Sequence, residues 1–418
     1  MRHRTHKLRL LGIVIAAVAC SEVAEVLTPV VPNDPGLDAG SDAPLGDAQP
    51  ETAPPDVVSP DGAVPIVTLD AGSNHACATI DGRLYCWGAN QRGRLGVGDA
   101  MDRLAPTRVG AENDWTLVTT AQDHSCAVRE GGHLYCFGVN DNGQLGVPDV
   151  AEALEPRAVV LPSAVRSVSA EALFSCAVSE LDELYCWGEN LEGQLGQNDG
   201  FPGANQPTPV RVETWTDFSL VDTGQGHTCA IRAPGTLWCW GRNTGSELGF
   251  GDGAPGQTRV AGQTGTGTSW VDADAGQHHS CGIESNGALS CWGDNQFGNL
   301  GTGDFTSRTT PTPIAPERSF VQVSLDTFHS CAIDSDAELW CWGRNVEGQL
   351  GVGDTVDRTL PERVAGGSFA FVAVGRFFTC AVRLDGTIWC AGANESGQLG
   401  MGDTDRRNAL SPIVMPVD

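Results

Sequence analysis

The chain has 418 residues, including 53 glycines, 24 prolines and 15 cysteines, and a formal net charge of −27 from 52 acidic and 25 basic side chains. So acidic a molecule repels phosphate backbones, which argues against nucleic acid as a partner. Fifteen cysteines fit poorly with a reduced cytosolic compartment and point to export.

The first element is N-terminal. Arg2, Arg4, Lys7 and Arg9 precede an apolar run from Leu10 to Ala19. Such a run is too short to cross a bilayer as a helix, and the pattern predicts a signal peptide over residues 1–19. It ends Ala17-Val18-Ala19-Cys20, which resembles the lipobox of bacterial lipoproteins. That resemblance implies acylation of Cys20, although Ala17 stands where the motif usually has Leu. Residues 20–64 form a different material, rich in Pro, Ala and Asp, with nine acidic side chains, no basic ones and no aromatics. This composition buries too little apolar surface to fold and predicts a flexible tether.

From residue 65 to 418 one unit of about fifty residues returns seven times, the period of propeller blades. Its first half carries a cysteine preceded two positions earlier by His or Phe: His75, His124, Phe174, His227, His279, His329 and Phe378. A second cysteine follows, then Trp-Gly-x-Asn, as in Trp87-Gly88-Ala89-Asn90, and a turn of the form Gln144-Leu145-Gly146. Only the seventh copy departs strongly, with Ala391 at the Trp position.

These residues resemble the repeat of the regulator-of-chromosome-condensation family. The resemblance implies an all-β chain folded as a seven-bladed β-propeller, each blade a four-stranded antiparallel sheet. Ring closure is expected from pairing of the two ends, Ile66–Leu69 with Ser411–Val414. The departure from the family is a cysteine pair in every unit.

The pairs follow from turn chemistry. Cys77 and Cys86 lie symmetrically about Asp81-Gly82, a preferred two-residue type I′ loop, so they face each other at a non-hydrogen-bonded position within disulfide reach. In the other six units the spacing implies a three-residue loop closed by a residue in the left-handed region: Gly132, Gly235, Gly287 and Gly386, with Asp182 and Ala337 in the remaining two. The expected bridges are Cys77–Cys86, Cys126–Cys136, Cys176–Cys186, Cys229–Cys239, Cys281–Cys291, Cys331–Cys341 and Cys380–Cys390, leaving Cys20 alone. Each would contribute about 2–3 kcal/mol by loop-closure entropy. Zinc held by Cys, Cys and His is the rival. It is disfavoured because Phe174 and Phe378 replace the histidine while both cysteines remain, and because structural zinc takes four ligands at shorter spacing.

Catalysis finds little support. A histidine repeated at one position reads as structural, its ring bonded to a neighbouring loop. Adjacent strand residues such as His124 and Ser125 point to opposite faces and cannot act together. His133 and His278 have no partner identifiable from sequence. The Gly96-Val97-Gly98-Asp99 type of turn lacks the second row of acids that calcium requires and reads as a turn. The tryptophans read as packing between blades. No phosphate-cradling loop is present, so no cofactor or metal is expected.

The expected function is therefore a monomeric, lipid-anchored propeller in the bacterial cell envelope or at the cell surface that binds a protein or a surface polymer without catalysis. The acidity is compatible with a basic or cation-bridged partner and equally with solubility alone. The alternative implied by the family is guanine-nucleotide exchange on a small GTPase, which an exported chain would not meet. Unit length varies by only a few residues. The extra length collects near Phe201–Gln206 and Gly262–Gly267, where a partner site is expected.

Overall fold

The computed structural model describes residues 67–197 and 203–416. The signal peptide, Cys20, the tether and Phe201 lie outside them. The described chain forms seven four-stranded antiparallel sheets, each made of four consecutive strands. In blade 1 these are β1 (Val67–Ala71), β2 (His75–Ile80), β3 (Arg83–Gly88) and β4 (Arg103–Arg108). Blades 2 to 7 repeat this order, and no α-helix occurs among the described residues.

Local chemistry explains each strand's place. The second and third strands are rich in branched and aromatic residues and are buried almost throughout, whereas the fourth is largely exposed. Pro106, Pro156, Pro207, Pro311, Pro361 and Pro412 sit in these outermost strands. An edge strand tolerates the missing N–H that a central strand could not.

The hairpin register agrees with the turn argument. Ile80 faces Arg83, and Cys77 faces Cys86, with Asp81 at φ 49° and Gly82 at φ 77°. All six loop-closing residues of the other blades, Asp182 and Ala337 included, have positive φ. In every blade the paired cysteines lie 4.1 Å apart at Cα, with their sulfurs joined.

The Trp-Gly-x-Asn motif organises the turn beyond the third strand. Asn90 accepts the Leu95 amide at 3.0 Å and donates to the Asp99 carbonyl at 3.0 Å, so one amide clamps both arms of the loop. Asn295, Asn345 and Asn394 do the same. The preceding glycine is obligatory: Gly88 has φ +101°, and a Cβ there would lie 2.5 Å from the Asn74 carbonyl oxygen.

Ring closure differs from the sequence expectation. Thr68 pairs with Thr79 inside blade 1, and Pro412 pairs with Trp389 inside blade 7. Seven complete blades leave no strand to exchange, so the ring closes by packing. Trp87 of blade 1 donates to the Gln398 carbonyl of blade 7 at 3.0 Å. Val67, Leu69, Phe378 and Ile413 share one apolar cluster across that border. The same indole bond serves four other borders, through Trp187, Trp240, Trp292 and Trp342, so closure needs no special device.

Candidate binding face

Each blade's strand order puts two kinds of loop on one end of the ring: the link from inner to second strand, and the turn after the third strand. The hairpins bearing the cysteines and the links between blades lie at the other end. The Gly262–Gly267 segment is one of those links, so it lies away from the first face. Its Thr264 is buried and bonded to the Leu248 carbonyl at 2.8 Å.

Beneath the first face runs a belt of histidines. His75 Nε2 meets Ser125 Oγ at 2.8 Å, His124 meets Ser175 at 2.8 Å, and His227 meets Ser280 at 2.8 Å. His279 meets Ser330 at 3.0 Å and His329 meets Thr379 at 2.7 Å. The ring therefore bonds the hydroxyl of the next blade, not a loop. The His-Ser pairs adjacent in sequence act across two different borders. Ser125, Ser175, Ser280 and Ser330 donate their own protons to the carbonyls of Arg94, Gln144, Glu247 and Asn299. Each of these hydroxyls must then accept from Nε2–H, which fixes the histidine tautomer. Three of these carbonyls, those of Gln144, Glu247 and Asn299, also accept the indole N–H of Trp187, Trp292 and Trp342.

The two departures in this belt are now intelligible. Phe378 of blade 7 faces the border where Ala76 replaces the hydroxyl residue, so neither partner is left unpaired. Phe174 precedes Thr228, whose hydroxyl is satisfied by the Gln194 carbonyl at 2.8 Å. Burial holds His124, His279 and His329 down to about 3 and His227 to about 4, so the belt is neutral at physiological pH. The pairs are fully buried and no substrate can reach them.

The central channel is lined by inner strands whose channel-facing edges carry backbone amides without a strand partner. Side chains of neighbouring blades satisfy them. Asp70 accepts from Thr120 N at 2.7 Å, Asp222 from Ala275 N at 3.0 Å and Ser324 from Val374 N at 3.0 Å. Gln322 both accepts from and donates to Val372. A narrow void of about 60 Å³ remains, bordered by Asp70, Glu171, Asp222 and Asp274. Burial raises all four carboxyls, with mutual repulsion adding for Glu171, Asp222 and Asp274. Burial also lifts Asp272 and Asp326 to about 6.

No group of three or more His, Cys, Asp or Glu converges as a metal site among the described residues. Four of the five acids of the Gly-x-Gly-Asp turns pair with arginine, Asp99, Asp304, Asp354 and Asp403 with Arg103, Arg308, Arg358 and Arg407, and Asp252 accepts from the Thr309 hydroxyl at 2.8 Å.

The face itself is not uniform around the ring. In blade 4, Glu247 replaces the usual Gln and is buried against Arg242 at 3.0 Å, with His278 at 3.7 Å. Burial works to raise this carboxyl, but His278, His227 and Arg242 outweigh it and bring it to about 2. A cavity of about 380 Å³ lies beside it, lined by Thr244, Ser246, His278, Asp294 and Ser307 among others. Over blades 5 to 7, Phe297, Phe328 and Phe377 contact one another, with centroids 5.1 and 5.0 Å apart. Sequence reasoning passed over these residues because they are scattered through three repeats. The available signal was departure from the repeat, at one shared register for Phe328 and Phe377 and in the turn after the third strand for Phe297.

An RCC1-like domain model matches residues 153–417. Models of the regulator of chromosome condensation (RCC1) repeat match residues 81–128, 66–94 and 122–144. The ultraviolet-B receptor UVR8 of Arabidopsis thaliana is 31% identical over 252 residues, 60% of this chain and 46% of that protein. A Protein RCC2 homolog of Xenopus laevis is 30% identical over 115 residues, 27% of this chain and 22% of its own length. The chain thus spans less than half the length of these relatives. Among solved structures, human WBSCR16 superposes with a TM-score of 0.72 at 18% identity, covering 80% of this chain and 95% of that one. Prp20p of Saccharomyces cerevisiae, described with its binding properties to Gsp1p and histones, gives 0.69 at 20% identity over 82% and 86%. Likeness at this identity speaks to the fold alone.

Proposed function

The chain belongs to the RCC1-like domain family, and from that premise we propose that it is an extracytoplasmic, lipid-anchored propeller that binds another protein without catalysing a reaction. One contrast carries this reading. The chemistry of the repeat is sealed between blades and stapled by a cysteine pair in each, while the departures at Glu247, Phe297, Phe328 and Phe377 lie in the loops of one face. Function is grafted onto a fold through such loops.

Export is supported by the charged and apolar segment ahead of Cys20 and by a cysteine pair in every blade, an investment suited to an oxidising compartment. Protein binding is supported by Prp20p, a propeller of this family with reported binding to Gsp1p and histones. The repeat varies in length by only four residues across the seven units, which leaves little room for an inserted wedge of the kind nucleotide exchange would use.

The test is an intact mass and peptide map of the protein from its native host, with thiols alkylated before reduction. Seven within-blade bridges and a lipid on Cys20 are expected. Fourteen alkylated cysteines would overturn the compartment and return a cytosolic role. A pull-down from envelope extract then reports whether a protein is bound at all.

A further inference from the structure

Where seven copies of a unit share one register, the copies that break it mark what the ring does beyond holding itself together. Immediately before the belt histidine, blades 1 to 5 carry Asn74, Asp123, Leu173, Gly226 and His278, whereas blades 6 and 7 carry Phe328 and Phe377. Phe297 of blade 5 extends the same arc, and all three rings are half-buried.

Two guanidinium groups lie over these rings. Arg344 is 4.9 Å from the Phe328 centroid and 5.5 Å from that of Phe297. Arg376 is 5.4 Å from Phe377 and 5.8 Å from Phe328. Cation–π contact draws each arginine to the rings without consuming its hydrogen-bond donors.

Most arginines of so acidic a chain have ionic partners. Arg242, at the register of Arg344 in blade 4, is bonded to Glu247. Arg92, Arg94, Arg129, Arg166 and Arg232 also pair with carboxylates. Arg344 and Arg376 make no ion pair among the described residues, and Arg376 Nε is buried without a hydrogen-bond partner. Asp326 is near enough to feel Arg376 but not to bond it.

We propose that Phe297, Phe328 and Phe377, with Arg344 and Arg376, form a docking site for a short acidic peptide segment of a partner protein. The peptide places carboxylates on the two guanidinium groups and an apolar side chain against the phenyl faces. A discrete pair of charges suits the site better than a long polyanion, because the net charge of −27 repels a continuous run of negative groups. The inference rests on the protein-binding reading and names the chemistry of its partner.

The test uses the full-length oxidised protein and fluorescence anisotropy of a labelled hexapeptide of alternating Glu and Phe. Saturable binding is expected, weakened about tenfold by Arg344→Gln, Arg376→Gln or Phe328→Ala, the loss typical of one interface hot spot. Arg363→Gln, on an exposed outer strand, is expected to leave it unchanged. Peptides alternating Lys with Phe, or Glu with Ser, are expected to bind at least about tenfold more weakly. Thermal melts identify any variant that misfolds, and the remaining two then decide. No saturable binding, equal binding of the Lys peptide, indifference to all three substitutions, or tighter binding of hexagalacturonate would each overturn the proposal. An envelope partner captured equally by wild type and Arg344→Gln would also overturn it while leaving the binding reading intact; capture of nothing would remove that reading itself.

Discussion

The histidine belt and the carboxylate-lined channel are two answers to the same problem. Both recur around the ring, and both bond across a border between blades. The belt buries a base and lowers its affinity for protons; the channel buries acids and raises theirs. Both shifts favour the uncharged form, because desolvation penalises whichever form is charged.

Their effects on stability therefore have opposite sign. The belt histidines titrate near 3 to 4 when folded and near their ordinary 6.5 when unfolded. Their contribution is whole above about 6.5 and is lost as the pH falls toward 3. Asp272 and Asp326 titrate near 6 when folded. Their contribution is whole below about 4 and is lost as the pH rises through 6. The aspartate slope offsets part of the histidine slope between about pH 4 and 6, so thermal melts should change least there and fall more steeply as the pH drops below about 4.

The sharpest way to break this balance is His279→Phe, which copies the natural arrangement of Phe174. Ser330 keeps its bond to the Asn299 carbonyl. Relative to wild type, the variant should gain about 3 kcal/mol on going from pH 7 to pH 4, read from urea midpoints. A variant that tracks wild type would mean that this ring does not titrate as its burial implies.

Ser280→Ala asks whether the belt is held by hydrogen bonds or by shape alone. It strands the His227 N–H and removes a donor from the Glu247 carbonyl, and should cost about 1–3 kcal/mol at pH 7. Ala76 occupies the same register without penalty because Phe378 faces it. Ser280→Ala combined with His227→Phe should therefore recover much of the loss.

In the channel, Asp272→Asn should gain about 1–2 kcal/mol relative to wild type between pH 4 and pH 8, a figure reduced for screening by channel water. Its absolute stability at pH 4 should be lower, since one acceptor is lost to either Val323 N or Ala273 N. The smallest effect expected is that of calcium. Four of the five turn acids are occupied by arginines, so millimolar calcium should leave the melting temperature unchanged. A rise of several degrees would return a calcium role to these turns.

Much of the molecule was legible in the chain because its information is local. The Asp81-Gly82 loop sets the register of Cys77 and Cys86 through the pairing rules of a two-residue turn. The period sets the blade count, and Pro106 and its equivalents mark the open edge. Even the structural role of the histidines follows from their repetition.

What the sequence could not determine are contacts between residues a whole repeat apart. His75 finds Ser125 and Trp87 finds Gln398 only once blades are stacked and the ring is closed, because neither pair shares a turn or a strand. The same holds for closure by packing, and for the gathering of Phe297, Phe328, Arg344, Arg376 and Phe377 on one arc. Hydrogen-bond register along a hairpin is decided by neighbours in the chain; the borders between blades are decided by neighbours in space.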